Sequence, residues 1–270
     1  MAAPAGFRRE MHEPAVRGWR IRRIEDRGAR MRRLVLQPEE GPPLHSPGPD
    51  DHCKLLVPDE SGRVVLPERD ERGRIVNRAE LTMRDMSICD VHPDGGIVLE
   101  VMRHAGGPLG RMTETAGVGQ RLVTLGPRGS LVPERVFERY ALIADLTGLP
   151  ALRRWLALLP AGVPVHAVVV CVEEADAVEL TTAADLETRW LPLGADFERG
   201  GSSAPAELAA QLLAGLPEGE DLLLWAAGEA GCMRRLRDLV VSQGREGLTL
   251  GVHGYWRAGT SDFDHHAPLE

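Results

Sequence analysis

The pattern of this chain changes part-way along, and that change limits its folds more than any single motif. From residue 17 to about 132 the apolar runs are short: WRIRRI, MRRLVLQ, CKLLVP, MRDMSICDV, GIVLEVMR and QRLVTL. Turn residues separate them, among them Arg27-Gly28, Pro42-Pro43, Ser46-Pro47-Gly48 and Pro93-Asp94-Gly95-Gly96. No helical period of any length intervenes, so this half predicts six strands in an antiparallel barrel or sandwich. Pro93-Asp94-Gly95-Gly96 predicts a hairpin, and the polar stretch from Asp59 to Asn77 a long hairpin or loop. After Pro133, strand-like runs (ALIAD, VHAVVVCV, DLLLWAAG, LTLGVHGYW) alternate with amphipathic ones (LPALRRWLALL, PAELAAQLLAGL, AGCMRRLRDLVVSQG). Strands that are apolar throughout, alternating with helices, predict a parallel sheet covered on both faces. The expected organisation is a tail over 1–16, a β-barrel domain over 17–135, an α/β domain over 136–260 and a tail over 261–270, with the boundary near Val132–Tyr140. A length of 270 residues suits two domains.

Composition narrows the classes of function. At 43% hydrophobic and 27% charged the chain is an ordinary globular one, with no run of about 18 apolar residues and no apolar leader at its start. The expectation is a cytoplasmic protein without a membrane partner. Cys53, Cys89, Cys171 and Cys232 lie far apart without a C-x-x-C pair, so they predict neither a zinc site nor a disulfide framework. The net charge of −8 hides an asymmetry: residues 1–33 carry ten Arg against four acids. Those arginines alternate with Trp19, Ile21, Ile24, Met31, Leu34 and Leu36, the pattern of strands with a solvated charged face. The same arginines also read as a pocket for a small anion. Nucleic acid is the poorest fit, because the rest of the chain is acidic. No metal site is predicted. The tail sequence Asp262-Phe263-Asp264-His265-His266 has no helix to fix ligand spacing.

In an open parallel sheet, ligands sit off the carboxyl ends of the strands, where helix N-termini present unpaired N–H groups. Two junctions qualify: Asp145-Leu146-Thr147-Gly148-Leu149-Pro150, and Gly228-Glu229-Ala230-Gly231. Either can cradle a pyrophosphate or a nicotinamide ribose, or merely turn strand into helix. A G-x-G-x-x-G fingerprint is absent.

Taken in order, a set of motifs resembles the siderophore-interacting protein family, flavin-dependent ferric-siderophore reductases related to ferredoxin–NADP reductases. They are Met31-Arg32-Arg33, Asp51 to Pro58 (DHCKLLVP), Arg84-Asp85-Met86-Ser87-Ile88-Cys89, His104 to Arg111 (HAGGPLGR), and Gly126-Pro127-Arg128-Gly129-Ser130. Asp145-Leu146-Thr147-Gly148-Leu149-Pro150-Ala151, Trp225 to Ala230 (WAAGEA) and Gly254-Tyr255-Trp256-Arg257 follow. The resemblance covers about residues 17–260. It implies a ferredoxin-reductase-like fold: FAD on the barrel, NADPH or NADH docking on the α/β domain, and a ferric siderophore receiving electrons singly and leaving as Fe(II). It also implies a monomer with no nucleic-acid partner. On this reading the cofactor-binding candidates are Arg84, Asp85, Met86, Ser87, His104, Gly106, Gly107, Leu109, Gly110, Asp145, Thr147, Gly228, Glu229 and Trp256. Arg84 offers a planar fork to pyrophosphate, Ser87 a hydroxyl near the flavin N5, and the glycines a close backbone approach to phosphate. Ser87, Tyr255 and Trp256 are the catalytic candidates. Arg32, Arg33, Lys54 and Arg257 are the candidates for binding an anionic chelate.

The family pattern is broken at five places. Met86 stands where the family has a tyrosine against the isoalloxazine, and Cys89 where it has arginine. Gly110 and Met112 replace a hydroxyl residue and a tryptophan, and Leu146 replaces an acid. A second reading follows from these departures: a reductase fold whose flavin site has decayed and whose cleft binds or transforms another small molecule. Nucleotide preference stays open. Glu173-Glu174-Ala175-Asp176 after VHAVVVCV leans to NADH, whereas Arg189 or Arg199 would suit a 2′-phosphate.

Overall fold

The computed structural model describes residues 3–59, 61–104, 106–200 and 202–261, together with Phe263 and Leu269. The tail residues Asp262, Asp264, His265 and His266 lie outside the described residues. Two compact units emerge: one of residues 9–131, the other of residues 1–8 and 132–270.

The first unit is a closed six-stranded antiparallel barrel. Its strands are β2 (Val16–Arg27), β3 (Met31–Glu40), β4 (His52–Leu56), β5 (Met83–Val91), β6 (Ile97–Met102) and β7 (Arg121–Leu125), in the order β2-β3-β6-β5-β4-β7. These are the six apolar runs of the sequence. The arginines that interrupt them do face outward: alternation buries Trp19, Ile21, Leu34, Leu36, Cys53, Leu55, Met86, Ile88, Ile97 and Leu99 in one core. Helix α1 (Gly107–Thr115) closes that core with Met112, and Leu109 packs at its margin. Between β5 and β6 the chain turns at Asp94-Gly95-Gly96, with Gly95 at φ 82° and the Asp94 carboxylate accepting from the Gly96 N–H.

The second unit is a five-stranded parallel sheet in the order β11-β10-β9-β12-β13. Its strands are β9 (Arg139–Asp145), β10 (Pro164–Cys171), β11 (Asp185–Pro192), β12 (Leu222–Glu229) and β13 (Leu248–Trp256), with helices α2 (Leu149–Leu158), α3 (Asp196–Arg199), α4 (Ala204–Ala214) and α5 (Ala230–Ser242). Ala206, Ala209 and Leu213 of α4 and Met233, Leu236 and Val240 of α5 pack on Ala141, Ile143, Leu222 and Leu224. An aromatic train of Phe7, Phe137, Tyr140, Trp155 and Trp225 runs through the same unit with ring centroids 5.7–6.5 Å apart. The strand order reverses between β9 and β12, so their carboxyl ends open the crevice where such sheets bind ligands.

Three strands are not foreseen from the sequence. The first sixteen residues, expected as a tail, contain β1 (Phe7–Met11), which pairs with β8 (Gly129–Pro133) in a two-stranded sheet. Strand β11 is the third, and as the sheet's edge it keeps a polar, mostly exposed face. Its large apolar residues are Leu186, Trp190 and Leu191, a set without the regular alternation that reads as a strand.

Candidate functional site

In the barrel, β4 and β5 are antiparallel with Leu55 opposite Arg84, Lys54 opposite Asp85, Cys53 opposite Met86 and His52 opposite Ser87. This register decides what each motif residue offers. Lys54 Nζ donates to both Asp85 oxygens at 2.7 and 2.9 Å, so the acid beside the phosphate candidate is neutralised by its cross-strand neighbour. Lys54 is to that extent committed to protein rather than waiting for an anion. Arg84, one residue over, lies half-buried on the opposite face of β5 and donates to the Met83 carbonyl. Met86 is only 6% exposed and packs in the barrel core, so it is spent on stability and gives no open face for stacking. Cys89 is likewise buried, in a small cluster with Val35 and Val98. Ser87 is half-buried opposite His52.

Helix α1 explains another departure from the family pattern. A Cβ on Gly110 would stand 2.3 Å from the carbonyl oxygen of His104, so no side chain is possible while the helix start folds back on that carbonyl. His104 itself is exposed, with Nδ1 3.1 Å from the Met102 carbonyl. At the mouth of the helix the geometry is the reverse: among the described residues nothing lies within 4 Å of a Cβ built on Gly106 or Gly107, and none caps the helix with its side chain. An uncapped helix start whose glycines let a ligand come close to the backbone has the form of a phosphate cradle. The residues therefore fit the phosphate end of FAD. On β5, by contrast, no aromatic is present to meet its ring.

The arginines of the basic opening are mostly paired. Arg32 donates to Asp26 at 2.9 Å and to the Thr113 carbonyl at 2.8 Å, closing the last turn of α1. Arg33 meets Glu100 at 2.7 Å across β3 and β6, and the Glu100 side chain is 1% exposed. Burial lowers the Arg33 pKa, but the attraction of Glu100 outweighs it and the group is held above its ordinary value. Arg17 is buried, and burial lowers its pKa. It donates to the Pro42, Pro43 and Gly126 carbonyls and the Ala15 carbonyl, fastening the loop after β3. Arg20, Arg23 and Arg27 pair with Glu39 or Glu25. The reading of residues 17–33 as an anion pocket gives way to paired, solvated strand faces. Arg257, in the other unit, lies 5.4 Å over the Phe263 ring.

At the carboxyl edge of the parallel sheet, Asp145 is the central group. It is 4% exposed and takes five hydrogen bonds. Oδ1 accepts from the Thr147 N–H, the Thr147 hydroxyl and the Gly148 N–H, at 2.6–3.2 Å. Oδ2 accepts from the Glu229 N–H at 3.0 Å and the Trp256 Nε1–H at 2.7 Å. Burial pushes this carboxyl up, and the donors of Thr147, Trp256 and Gly148 pull against it. One side chain thus ties the ends of β9, β12 and β13 together. Gly228 makes this possible, since a Cβ there would stand 2.6 Å from Oδ2. Trp256 is fixed on its other side by stacking on Phe197, with centroids 5.9 Å apart at 27°. Tyr255 precedes it, half-buried.

Glu229, 6% exposed, caps α5: its Oε2 accepts from the Cys232 N–H at 2.7 Å and its Oε1 from the Ala258 N–H at 3.3 Å. Both strand–helix junctions singled out in the sequence therefore hold a carboxylate of the protein's own. A phosphate arriving at either would meet like charge, which removes the pyrophosphate reading there and leaves the ribose one, whose hydroxyls can donate. The cavity at this edge, lined by Asp145, Val170, Phe197, Glu229, Met233 and Trp256, has about 20 Å³, room for a single water. The acidic run after β10 is also structural in part: Asp176 is buried and accepts from the Val172 and Glu173 N–H groups. Arg199 is paired with Asp196 at 3.1 Å.

Two family models match the chain in tandem. The siderophore-interacting FAD-binding domain covers residues 20–131, and the siderophore-interacting protein model covers residues 137–259. The chain belongs to the siderophore-interacting protein family. Among solved structures, a siderophore utilization protein from T. fusca is 32% identical, covers 97% of this chain and 100% of its own, and superposes with a TM-score of 0.86. The siderophore-interacting protein of Aeromonas hydrophila is 23% identical with a TM-score of 0.70, over 92% of this chain and 93% of its own. An NADPH-dependent ferric-chelate reductase of Escherichia coli (strain K12) is 26% identical over 242 residues, 88% of this chain and 91% of that one. A ferredoxin reductase from a carbazole 1,9a-dioxygenase system, 18% identical with a TM-score of 0.58, shares the fold. The family member thus has a ferredoxin-reductase-like fold with an FAD-binding barrel.

One group of side chains escapes sequence reasoning altogether. Glu10, His12 and His45 bring their ligating atoms within 4.8 Å of one another in the barrel unit. Only the pair Glu10-x-His12 is adjacent in sequence, and His45 comes from the loop after β3. Nothing in their spacing marks them.

Proposed function

We propose that this protein is a flavin-dependent reductase that carries electrons from a reduced nicotinamide nucleotide to a ferric chelate of the siderophore class and releases Fe(II). The observation that carries the reading is the tandem match of an FAD-binding barrel and a siderophore-interacting α/β unit over almost the whole chain. Its likeness to the E. coli ferric-chelate reductase supports the acceptor and a nicotinamide donor. FAD, when bound, supplies the conversion from two-electron to one-electron transfer that a nicotinamide donor and Fe(III) require.

The chain's own residues have definable parts. Arg84 and the open N–H groups at Gly106 and Gly107 hold the phosphates of FAD, and the Lys54–Asp85 pair keeps the nearby carboxylate from repelling them. Leu109 and Gly110 let α1 seat against the barrel, and His104 lies at its entrance. Ser87 offers a hydroxyl toward the flavin ring. At the sheet edge, Asp145, held by Thr147, fixes the Trp256 indole in one orientation, and Gly228 and Glu229 present acceptors to ribose hydroxyls. Tyr255 and Trp256 border the nicotinamide, with Arg257 next to them for an anionic chelate.

The experiment is direct. Purified protein should be yellow or take up added FAD. It should then oxidise NADPH or NADH only when a ferric chelate is present, with Fe(II) trapped by ferrozine. A colourless protein that takes up no FAD would overturn the proposal. The second reading, a reductase fold serving another small molecule, would then stand on the burial of Met86 in the core.

A further inference from the structure

Glu10 on β1, His12 just after it and His45 in the loop after β3 come together with a supporting network behind them. The His45 Nε2 lies 2.7 Å from Glu10 Oε1, and the His12 Nδ1 lies 4.0 Å from the same oxygen. The two imidazoles meet edge to face, centroids 5.1 Å apart at 84°. On its far side the His12 Nε2 is 2.7 Å from the Ser130 hydroxyl, and that hydroxyl donates to Asp51 Oδ2 at 2.8 Å. Asp51 is 2% exposed, and the same oxygen accepts from the Gly48 N–H at 3.0 Å.

This chain of hydrogen bonds settles where the proton of a neutral His12 resides. Asp51 is an acceptor, so the Ser130 proton points to it, and the hydroxyl oxygen can only accept from His12. The Nε2 of His12 therefore carries hydrogen, and its Nδ1 turns a bare lone pair toward Glu10. That lone pair and the Glu10 carboxylate, 4.0 Å apart, are two donors facing one gap that a cation can bridge. The His12 side chain is 12% exposed and that of Glu10 is 28%, so both donors stand partly out of water.

We propose that His12 Nδ1, His45 Nε2 and a Glu10 oxygen bind one divalent first-row transition ion, with Ser130 and Asp51 orienting His12. Two imidazoles and one carboxylate are the donor set of borderline ions such as Zn²⁺ and Fe²⁺, with an open position left for water. Bonds of about 2.1 Å in tetrahedral geometry put ligand atoms about 3.4 Å apart. The separations of 2.7 and 4.0 Å bracket that value, so shifts below an ångström assemble the site. The Ser130–Asp51 relay is the outer support that metal-bound histidines require. The donor set is distinct from the residues assigned to flavin, nucleotide and chelate above.

The test is calorimetric titration of chelator-stripped full-length protein with Zn²⁺, repeated with Co²⁺ while following its visible d–d bands. Wild type should take up one tight equivalent of Zn²⁺ and give tetrahedral-type Co²⁺ bands. His45 is largely exposed, so His45→Ala preserves the fold; it should lose that equivalent while any weaker uptake elsewhere remains. Glu10→Gln should do the same. Ser130→Ala, which leaves all three ligands in place, should weaken binding by about 10–100-fold. No tight equivalent in wild type, or the same equivalent in His45→Ala, would reduce the cluster to a hydrogen-bonded surface group and overturn the proposal.

Discussion

Replacing Asp145 by asparagine tests the central joint of the α/β unit. Five donors converge on two carboxylate oxygens, and the substitution exchanges one oxygen for an NH₂ group of nearly the same shape. If the amide nitrogen takes the Oδ2 position, the Glu229 N–H and the Trp256 indole N–H both face a donor. If it takes the Oδ1 position, the N–H groups of Thr147 and Gly148 do so instead. Either way two N–H groups lose their acceptor in a place with little room for water, each at about 1–3 kcal/mol, and the charge assistance of the remaining bonds is lost. The expected cost is about 3–5 kcal/mol. For a unit of this size it should lower the melting temperature by on the order of 10 °C. Trp256→Phe removes a single donor and should cost about 1–2 kcal/mol. Combined with Asp145→Asn it should add less than its own cost, because both changes act on one joint. Chemical denaturation followed by tryptophan fluorescence reads all three variants. An Asp145→Asn protein within about 1 kcal/mol of wild type would refute the assignment of Asp145 as the tie between β9, β12 and β13.

Other expectations follow from the same geometry. Gly110→Ala, which sets a methyl against the His104 carbonyl, should destabilise the barrel by about 1–3 kcal/mol in a thermal melt and weaken FAD uptake. Glu100→Gln should cost about 2–3 kcal/mol, since it strands the half-buried Arg33 guanidinium, without changing the KM for a ferric chelate. Burial pushes the Cys53 thiol up to about 12, and burial with the nearby Glu229 carboxylate pushes Cys232 up to about 11. Both should resist a disulfide reagent at pH 8 in the native protein and react once it is unfolded in guanidinium. Because these pKa values are raised in the folded state, the stability they confer is whole below the usual thiol value of 9.0 and is lost as pH rises from there through about 11 for Cys232 and about 12 for Cys53.

The two-part architecture was legible because period is a local property. Six short alternating runs and four continuous apolar strands carry their burial in the side-chain pattern itself, whatever their partners are. The order of motifs from Arg84 to Arg257 likewise lies in one dimension, and it carried the family. Strand β1 and the edge strand β11 lacked that signal: β11 has one neighbour and a wet face, and little apolar periodicity is needed to hold it. Charge was the least legible feature. The ten arginines at the start read first as a solvated face and second as a pocket, and only the register showed Arg33 beside Glu100 and Arg32 reaching Asp26 and α1. Glu229 and Asp145 stand at the junctions singled out, but that Glu229 would cap α5 and Asp145 would gather the donors of Thr147, Gly148 and Trp256 required knowing where each carboxylate turns. Glu10, His12 and His45 are the limiting case. Whether three donors share a cation depends on distances between the β1 segment and the loop after β3, and those distances arise from pairing and packing between segments far apart in the chain, which no local pattern encodes.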